Sequence, residues 1–261
     1  YLEDQGLLLL IGGRGQEVGT TQAEDEVISE IEIVNIGEQR VVSQLYDTKV
    51  ARTDHEVLVL GDGSILIAGG RNEEGTLDST QIVTVQGSGL TINDGPALKK
   101  GRYDFGLELV PGGTGKSVVV IGGFLEDGVA SDSVELGVAT PAGTFTELPN
   151  QKLNAARGGL ASMTLPHSGD IMIFGGRDAQ GDTIPTAERL RFNGLTNSPP
   201  YSFVQGTQGS MIIPRYDASF TYMTNGKILV FGGVDQRREM MVITQDTAEL
   251  YNPYDPVGET R

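Results

Sequence analysis

Apolar and polar positions along this chain follow two textures. Unbroken apolar runs of four or five residues end at a pair of glycines, as in LLLLI at 7–11, ILIA at 65–68, VVVI at 118–121, IMIF at 171–174 and ILVF at 228–231. Between them lie stretches in which apolar and polar residues alternate singly, such as EIEIV at 30–34 and TFTEL at 144–148. The first texture predicts strands covered on both faces, and the second predicts half-buried strands. No segment sustains an apolar period of 3.6 residues, so no helix is expected.

The glycine pairs are Gly12-Gly13, Gly69-Gly70, Gly122-Gly123, Gly175-Gly176 and Gly232-Gly233, at spacings of 57, 53, 53 and 57 residues. Before each run stands a turn (EDQG, GDGS, PGGTGK, HSGD, TNGK) of the kind that supplies positive φ to a short hairpin. One strand earlier an arginine leads another apolar stretch, at Arg52, Arg102, Arg157 and Arg215. After each pair come a polar loop, a third strand (SEIEIVNI, STQIVTV, DSVELGV, TAERLRF, TAELYNP) and a weaker fourth (VVSQLYD, a stretch near Leu90, TFTELP, YSFVQ). The repeat therefore predicts four short antiparallel strands per unit, a to d, with b the run before Gly-Gly. The units span roughly 1–51, 52–101, 102–156, 157–214 and 215–261. The chain opens in strand b of the first unit and ends after strand c of the fifth, so the terminal blades are incomplete. Two organisations follow: a segment of a six- or seven-bladed ring, or five units that close on themselves.

Four strands at a period near 50 residues is the signature of a β-propeller blade. On these residues the chain resembles the kelch-repeat family, and most of all the exported bacterial kelch-repeat proteins. Their units run Arg…Asp-Gly-x-apolar-Gly-Gly…Ala-Glu-Leu-Tyr-Asn/Asp-Pro, matched here by AELYNP at 248–253. The fold expected is all-β, a single propeller domain or propeller segment of kelch-type blades. The chain departs from the family in having no Trp, and Phe145 occupies a place comparable to the usual fourth-strand tryptophan. The resemblance implies ligand contacts on the face that carries the strand-a lead-ins, and a location outside the cell or at its surface.

Strands a and b are antiparallel, so the arginine-led starts of a and the loops after Gly-Gly share one face, and the a–b turns lie on the other. The shared face carries the loops from Arg14 to Val27, Arg71 to Leu77, Phe124 to Asp132, Arg177 to Pro185 and Val234 to Asp246. Their acids include Glu17, Glu24, Asp25, Glu26, Glu73, Glu74, Glu126, Asp127, Asp178, Asp182 and Asp235. These loops, with Arg71 and Arg177, are candidates for binding a basic or cationic partner; they are equally the polar loops of any wetted surface. Arg-x-Asp occurs at Arg52/Asp54, Arg102/Asp104 and Arg215/Asp217, while after Arg157 the aspartate is replaced by Gly159. Strand a lines the channel, so the aspartates can ring its mouth and offer oxygens to a cation such as Ca²⁺. The competing reading makes each arginine a local partner between blades and each aspartate a cap on its turn.

Composition narrows the chemistry. The net charge of −16 repels nucleic-acid phosphate and anionic lipid. With 38% hydrophobic and 21% charged residues, wholesale disorder is not expected. No apolar run reaches 18 residues, so no membrane-spanning helix is expected. The chain starts at Tyr1, which is read as a processed or excised piece of a longer parent. It has no cysteine, which excludes disulfides, thiolate nucleophiles and cysteine-ligated metals. A copper radical oxidase of this architecture needs a Cys–Tyr crosslink and two histidines; here His55 and His167 fall on opposite faces. His55 reads as a partly buried, hydrogen-bonded residue. No Trp means no sialidase Asp box. GGTGKS at 112–117 lacks phosphate-loop spacing and reads as a hairpin turn. The function expected is non-enzymatic: an interaction scaffold presenting acidic loops to a protein or an extracellular glycan, without a cofactor. The alternatives are a carbohydrate-active enzyme, an epimerase or hydrolase, with its site at the channel mouth, and a structural module of a large surface or appendage protein.

Overall fold

In the computed structural model, residues 2, 6–15, 26–36, 40–87, 89–112, 114–194, 196–197, 200–204, 209–236 and 242–254 are described. They form an all-β protein of five antiparallel sheets arranged as the blades of a β-propeller. The first sheet holds strands b, c and d (Leu7–Ile11, Glu30–Asn35, Arg40–Asp47). The second runs Glu56–Val59, Ile65–Ala68, Thr80–Gln86 and Gly89–Asp94 from a to d. The third runs Gly106–Leu109, Ser117–Ile121, Ser133–Val138 and Phe145–Lys152, with a register shift between c and d. The fourth runs Ala161–Thr164, Ile171–Phe174, Glu188–Phe192 and Tyr201–Phe203. The fifth holds a, b and c (Ser219–Tyr222, Ile228–Phe231, Ala248–Tyr251). Gly112 and residues 114–116 lie between strands a and b of the third sheet, where a hairpin connection is expected.

Strands a of neighbouring sheets meet at the axis. Glu108 in the third sheet accepts hydrogen bonds from Ser162 Oγ at 2.8 Å, Thr164 Oγ1 at 2.8 Å and Thr164 N at 3.1 Å in the fourth. In the three inner sheets strand b is apolar because sheets cover it on both sides: Ile65 to Ala68 and Ile171 to Phe174 are all buried. One face of each packs on the sheet before it and the other on the sheet after. Ile65 and Ile67 join Ile31 and Ile33, whereas Leu66 and Ala68 join Val118 and Val120. Phe145 is buried in the cluster between the second and third sheets.

A buried arginine closes each junction. Arg52, Arg102, Arg157 and Arg215 are 1%, 0%, 0% and 0% exposed. Each donates from Nη1 to the carbonyl of the first glycine of its own unit, at 2.7 Å to Gly69, 2.7 Å to Gly122, 2.9 Å to Gly175 and 2.7 Å to Gly232. Each Nη2 reaches strand c, where Arg102 pairs with Glu135, Arg157 with Glu188 at 2.6 Å and Arg215 with Glu249 at 2.9 Å. Arg52 finds the neutral Gln81 Oε1 at 3.3 Å, and burial brings its guanidinium down to about 10. The same arginine's backbone carbonyl accepts from the second glycine of the preceding unit: Gly13 to Arg52, Gly70 to Arg102 and Gly123 to Arg157 at 2.8 Å each, and Gly176 to Arg215 at 3.1 Å. That carbonyl also crowds the first glycine of the preceding pair. A Cβ on Gly12, Gly69 or Gly122 would sit 2.7, 2.6 or 2.8 Å from it, and one on Gly175 would collide with Arg215. The doubled glycines are thus required where the next unit's backbone presses on the strand end.

The described parts of the loops after Gly-Gly pair with themselves. Arg71–Asn72 pairs with Gly75–Thr76, Arg14–Gly15 with Glu26–Val27, and Val234–Gln236 with Val242–Thr244. Single bridges do the same at Phe124↔Ala130 and Arg177↔Thr183. Each is a small β-ribbon stood on the loop-bearing face.

Removing Arg102 leaves the Glu135 carboxylate buried without its partner. Arg102→Ala is expected to lower stability by about 3–5 kcal/mol in urea unfolding. The double variant Arg102→Met/Glu135→Leu is expected to recover a measurable part of that loss.

Candidate functional site

The site is built by the residues one and two places after each buried arginine. The first, Thr53, Tyr103, Gly158 or Tyr216, bridges the residue that follows a glycine pair: Thr53↔Arg71, Tyr103↔Phe124, Gly158↔Arg177 and Tyr216↔Val234. The second adopts a left-handed backbone in every unit, with φ of 55° at Asp54, 52° at Asp104, 61° at Gly159 and 50° at Asp217. Glycine takes that conformation freely, and aspartate tolerates it better than most residues. The shared property is therefore the backbone, which explains why Gly159 substitutes for aspartate. These residues hand hydrogen bonds around the axis: Asp104 N donates to Asp54 O at 3.0 Å, Gly159 N to Asp104 O at 2.8 Å, and Asp217 N to Gly159 O at 3.0 Å.

Three carboxylates are thereby gathered at one end of the channel, and two arginines join them from the ribbons. Arg71 Nε donates to Asp54 Oδ2 at 2.6 Å while its guanidinium lies 4.3 Å from the centre of the Tyr103 ring. Arg177 is held between two rings, 4.9 Å from Phe124 and 4.8 Å from Tyr216. Such stacking orients a guanidinium without using its N–H groups. Arg177 donates no side-chain hydrogen bond among the described residues, and its Nε is buried without a partner. Burial pushes Asp104 up to about 7, with Asp54 and Asp217 adding to the rise and Arg177 and Arg71 opposing it. Asp217 is raised by burial as well.

Behind the mouth lies a cavity of about 280 Å³ between strands a of the second to fifth sheets. Glu56 and Glu108 face into it with Ser162 and Phe220. Burial raises Glu56 to about 8, helped by the charges of Asp104 and Glu108. Glu108 is raised by burial against the opposing hydrogen bonds from Ser162 and Thr164. Sequence reasoning missed both glutamates; the available signal was an acid inside otherwise apolar strand-a stretches, HEVLVL and FGLELV.

The remaining sequence-based candidates separate clearly. Arg52, Arg102, Arg157 and Arg215 are sealed between sheets, so they belong to the scaffold and cannot touch a ligand. Asp54, Asp104, Asp217, Arg71 and Arg177 are brought together at the mouth. Glu73 and Glu74 are exposed and line a groove of about 490 Å³ with Glu26 and Lys49, between the ribbons of the first two sheets. Glu126 is exposed but engaged, accepting from Thr76 Oγ1 at 2.6 Å and Thr76 N at 3.1 Å in the neighbouring ribbon. Asp127 takes a left-handed turn position, and Asp178 caps its own turn by accepting from Gln180 N and Asp182 N, both at 2.9 Å. Glu17, Glu24 and Asp25 lie outside the described residues. Among the described residues no three His, Asp or Glu side chains are placed to hold a metal ion, so the cation-ring reading of the three aspartates gains no support. His55 is half-buried, but its Nδ1 has no hydrogen-bond partner and burial lowers it to about 4, so it is neutral near pH 7.

No family model matches the chain, and no curated protein matches it. Among solved structures it is similar to the one titled "Structure of YjhT", with a TM-score of 0.71 over 96% of this chain and 79% of that one, at 13% identity. At that identity the likeness is one of fold. No helix among the described residues is long and apolar enough to cross a membrane.

Glu56 gives the site a pH signature. Its folded value lies above the ordinary 4.5, so the folded state holds an extra proton between about pH 4.5 and 8. The stability tied to that proton is full below this window and lost as pH rises through it. Glu56→Gln is therefore expected to match the parent Tm at pH 4 and exceed it by a few degrees at pH 9, as measured by calorimetry.

Proposed function

We propose that the protein is a non-enzymatic binding module that takes a glycan at the channel mouth, on the face bearing its acidic ribbons. The observation that carries this reading is Arg177, fixed between Phe124 and Tyr216 with its N–H groups unused. A donor set oriented before binding loses little freedom on meeting an acceptor-rich ligand. The Asp54–Arg71 pair supplies further polar contacts and the half-buried Tyr216 ring an apolar surface, which suit a sugar ring. The kelch-like repeat and a place outside the cell or on a bacterial surface belong to the same proposal, supported by the sequence pattern. The groove at Glu26, Glu73 and Glu74 extends the binding face toward a basic group on a larger partner.

A second reading, a carbohydrate-active enzyme, is favoured by Asp104 at about 7 and Glu56 at about 8, values that suit proton transfer near neutrality. The two readings part on simple measurements. Screening a glycan array is expected to give a saturable ligand whose affinity falls at least tenfold, about 1.4 kcal/mol, in Arg177→Ala. An array without hits would remove the proposal. Turnover of a glycoside and sugar-epimer panel that is abolished in Asp104→Asn, with binding retained, would move the assignment to the enzyme.

A further inference from the structure

The axial cavity is sized for one small group. Its volume of about 280 Å³ lies just under the smallest pockets that take a whole small molecule, about 300 Å³, so it admits one terminal unit of a larger ligand. Two carboxyl groups reach it from strands a of adjacent sheets, Glu56 of the second and Glu108 of the third. They are held differently. Glu108 is fixed from the fourth sheet by Ser162 Oγ and by both Thr164 Oγ1 and Thr164 N. Glu56 accepts no hydrogen bond among the described residues, and burial with the charges of Asp104 and Glu108 brings it up to about 8. The fourth and fifth sheets bring Leu160, Ala161, Ser162, Ala218 and Phe220 to the wall, none of which titrates near neutrality. His55 stands beside Glu56 in the chain and is neutral near pH 7. Toward the mouth come Asp54, Asp104 and Asp217 with two guanidiniums. Arg71 is bound to Asp54, whereas the Nε of Arg177 is buried without a partner. The channel thus holds an unused donor at its rim and an open carboxyl acceptor behind it.

We propose that the ligand taken at the mouth is a sugar with a free amino group, whose ammonium enters the cavity to pair with Glu56 and Glu108 while its hydroxyl and ring oxygens accept from Arg177. This rests on the glycan reading of the mouth and narrows it to one class. An ammonium is costly to bury and needs a charged, hydrogen-bonding partner. Glu108 offers oxygens already fixed in place, and Glu56 becomes a carboxylate once its proton leaves. The exchange balances: the Glu56 carboxyl gives one proton to solvent, and the incoming ammonium keeps its own protons and supplies the positive charge. An N-acetylated or hydroxyl-only sugar brings no charge and leaves the Glu56 proton in place.

The test is titration calorimetry on the 261-residue chain at about pH 6, in two buffers of different ionisation enthalpy. The probes are the β-1,4-linked glucosamine dimer, its N,N′-diacetyl counterpart and cellobiose. The glucosamine dimer is expected to bind at least tenfold tighter than the other two, to release at least about one proton per site, and to gain affinity as pH rises from about 5 to 7. Glu56→Gln is expected to erase the preference for the amine and to lower the proton release, with its Tm showing that it folds. Arg177→Ala is expected to weaken all three sugars, because it acts at the mouth. Equal affinity of the three sugars, or amine binding without proton release, would overturn the proposal. If Arg177→Ala still lowers their affinity in that case, the glycan reading of the mouth stands without the amine. Failure of the glucosamine dimer to bind would overturn the proposal as well, and the glycan array then decides the mouth separately.

Discussion

The interaction on which this structure depends is a buried guanidinium that reads two sheets at once. From one residue, the side chain fastens strands b and c of its own unit, and the backbone carbonyl caps the glycine pair of the unit before. A sheet interface of aliphatic side chains alone is weakly directional, because apolar contact fixes proximity better than register. The arginine adds hydrogen bonds with strict geometry, and its planar fork suits two carbonyl or carboxylate acceptors. The strand-c glutamates complete the junction by accepting backbone N–H groups from the segment before each arginine: Lys99 on Glu135, Asn154 on Glu188, and Ile212 with Ile213 on Glu249. Gln81 performs the same task with opposite polarity, donating from Nε2 to Thr48 O at 2.7 Å. Arg52 is therefore the one buried arginine of the four whose strand-c partner is neutral.

The channel mouth follows from the same residue. Once the arginine is fixed, the chain has two residues in which to turn onto strand a, and the turn is made with a left-handed residue. Linking those residues by backbone hydrogen bonds brings successive units close to the axis. Aspartates at such positions are drawn together whatever their charge. The raised value of Asp104 is thus a consequence of how the ring is tied, and the ribbon arginines offset part of the crowding. The candidate site here grows out of a scaffold requirement.

The repeat was legible because its causes are local: turn residues before strand b, and glycines where a neighbouring carbonyl presses in. The strand content, the five units and the shared face of lead-ins and ribbons all follow from such spacing. The split within Arg-x-Asp was not legible, because it depends on a strand-c glutamate or glutamine about thirty residues downstream that takes the arginine out of reach. Nor was the engagement of Glu126 by Thr76, a contact between ribbons of different units. Arg177 stood in the sequence as one charge among several. Only the structure sets Phe124 from the unit before and Tyr216 from the unit after against its two faces. Glu56 and Glu108 were passed over because each stands alone within a stretch read as apolar.

The departures from the repeat coincide with the candidate site. Arginine and the glycine pair recur without change wherever they hold sheets together. The positions after them vary: Thr53, Tyr103, Gly158 and Tyr216, and then Asp54, Asp104, Gly159 and Asp217. The fourth unit differs most, and its differences act together. A side chain on Gly158 would collide with the Phe124 ring, and one on Gly159 would come within 2.8 Å of Asp217 Oδ1. With both side chains absent, Phe124 can lie over the fourth lead-in and Arg177 can fit between it and Tyr216. A tyrosine and aspartate there, as in the third and fifth units, would close that space and add a fourth carboxylate to the ring. The irregular unit thus places an unpaired donor set beside three carboxylates, and so breaks an otherwise uniform acidic ring into a mouth with a positive side.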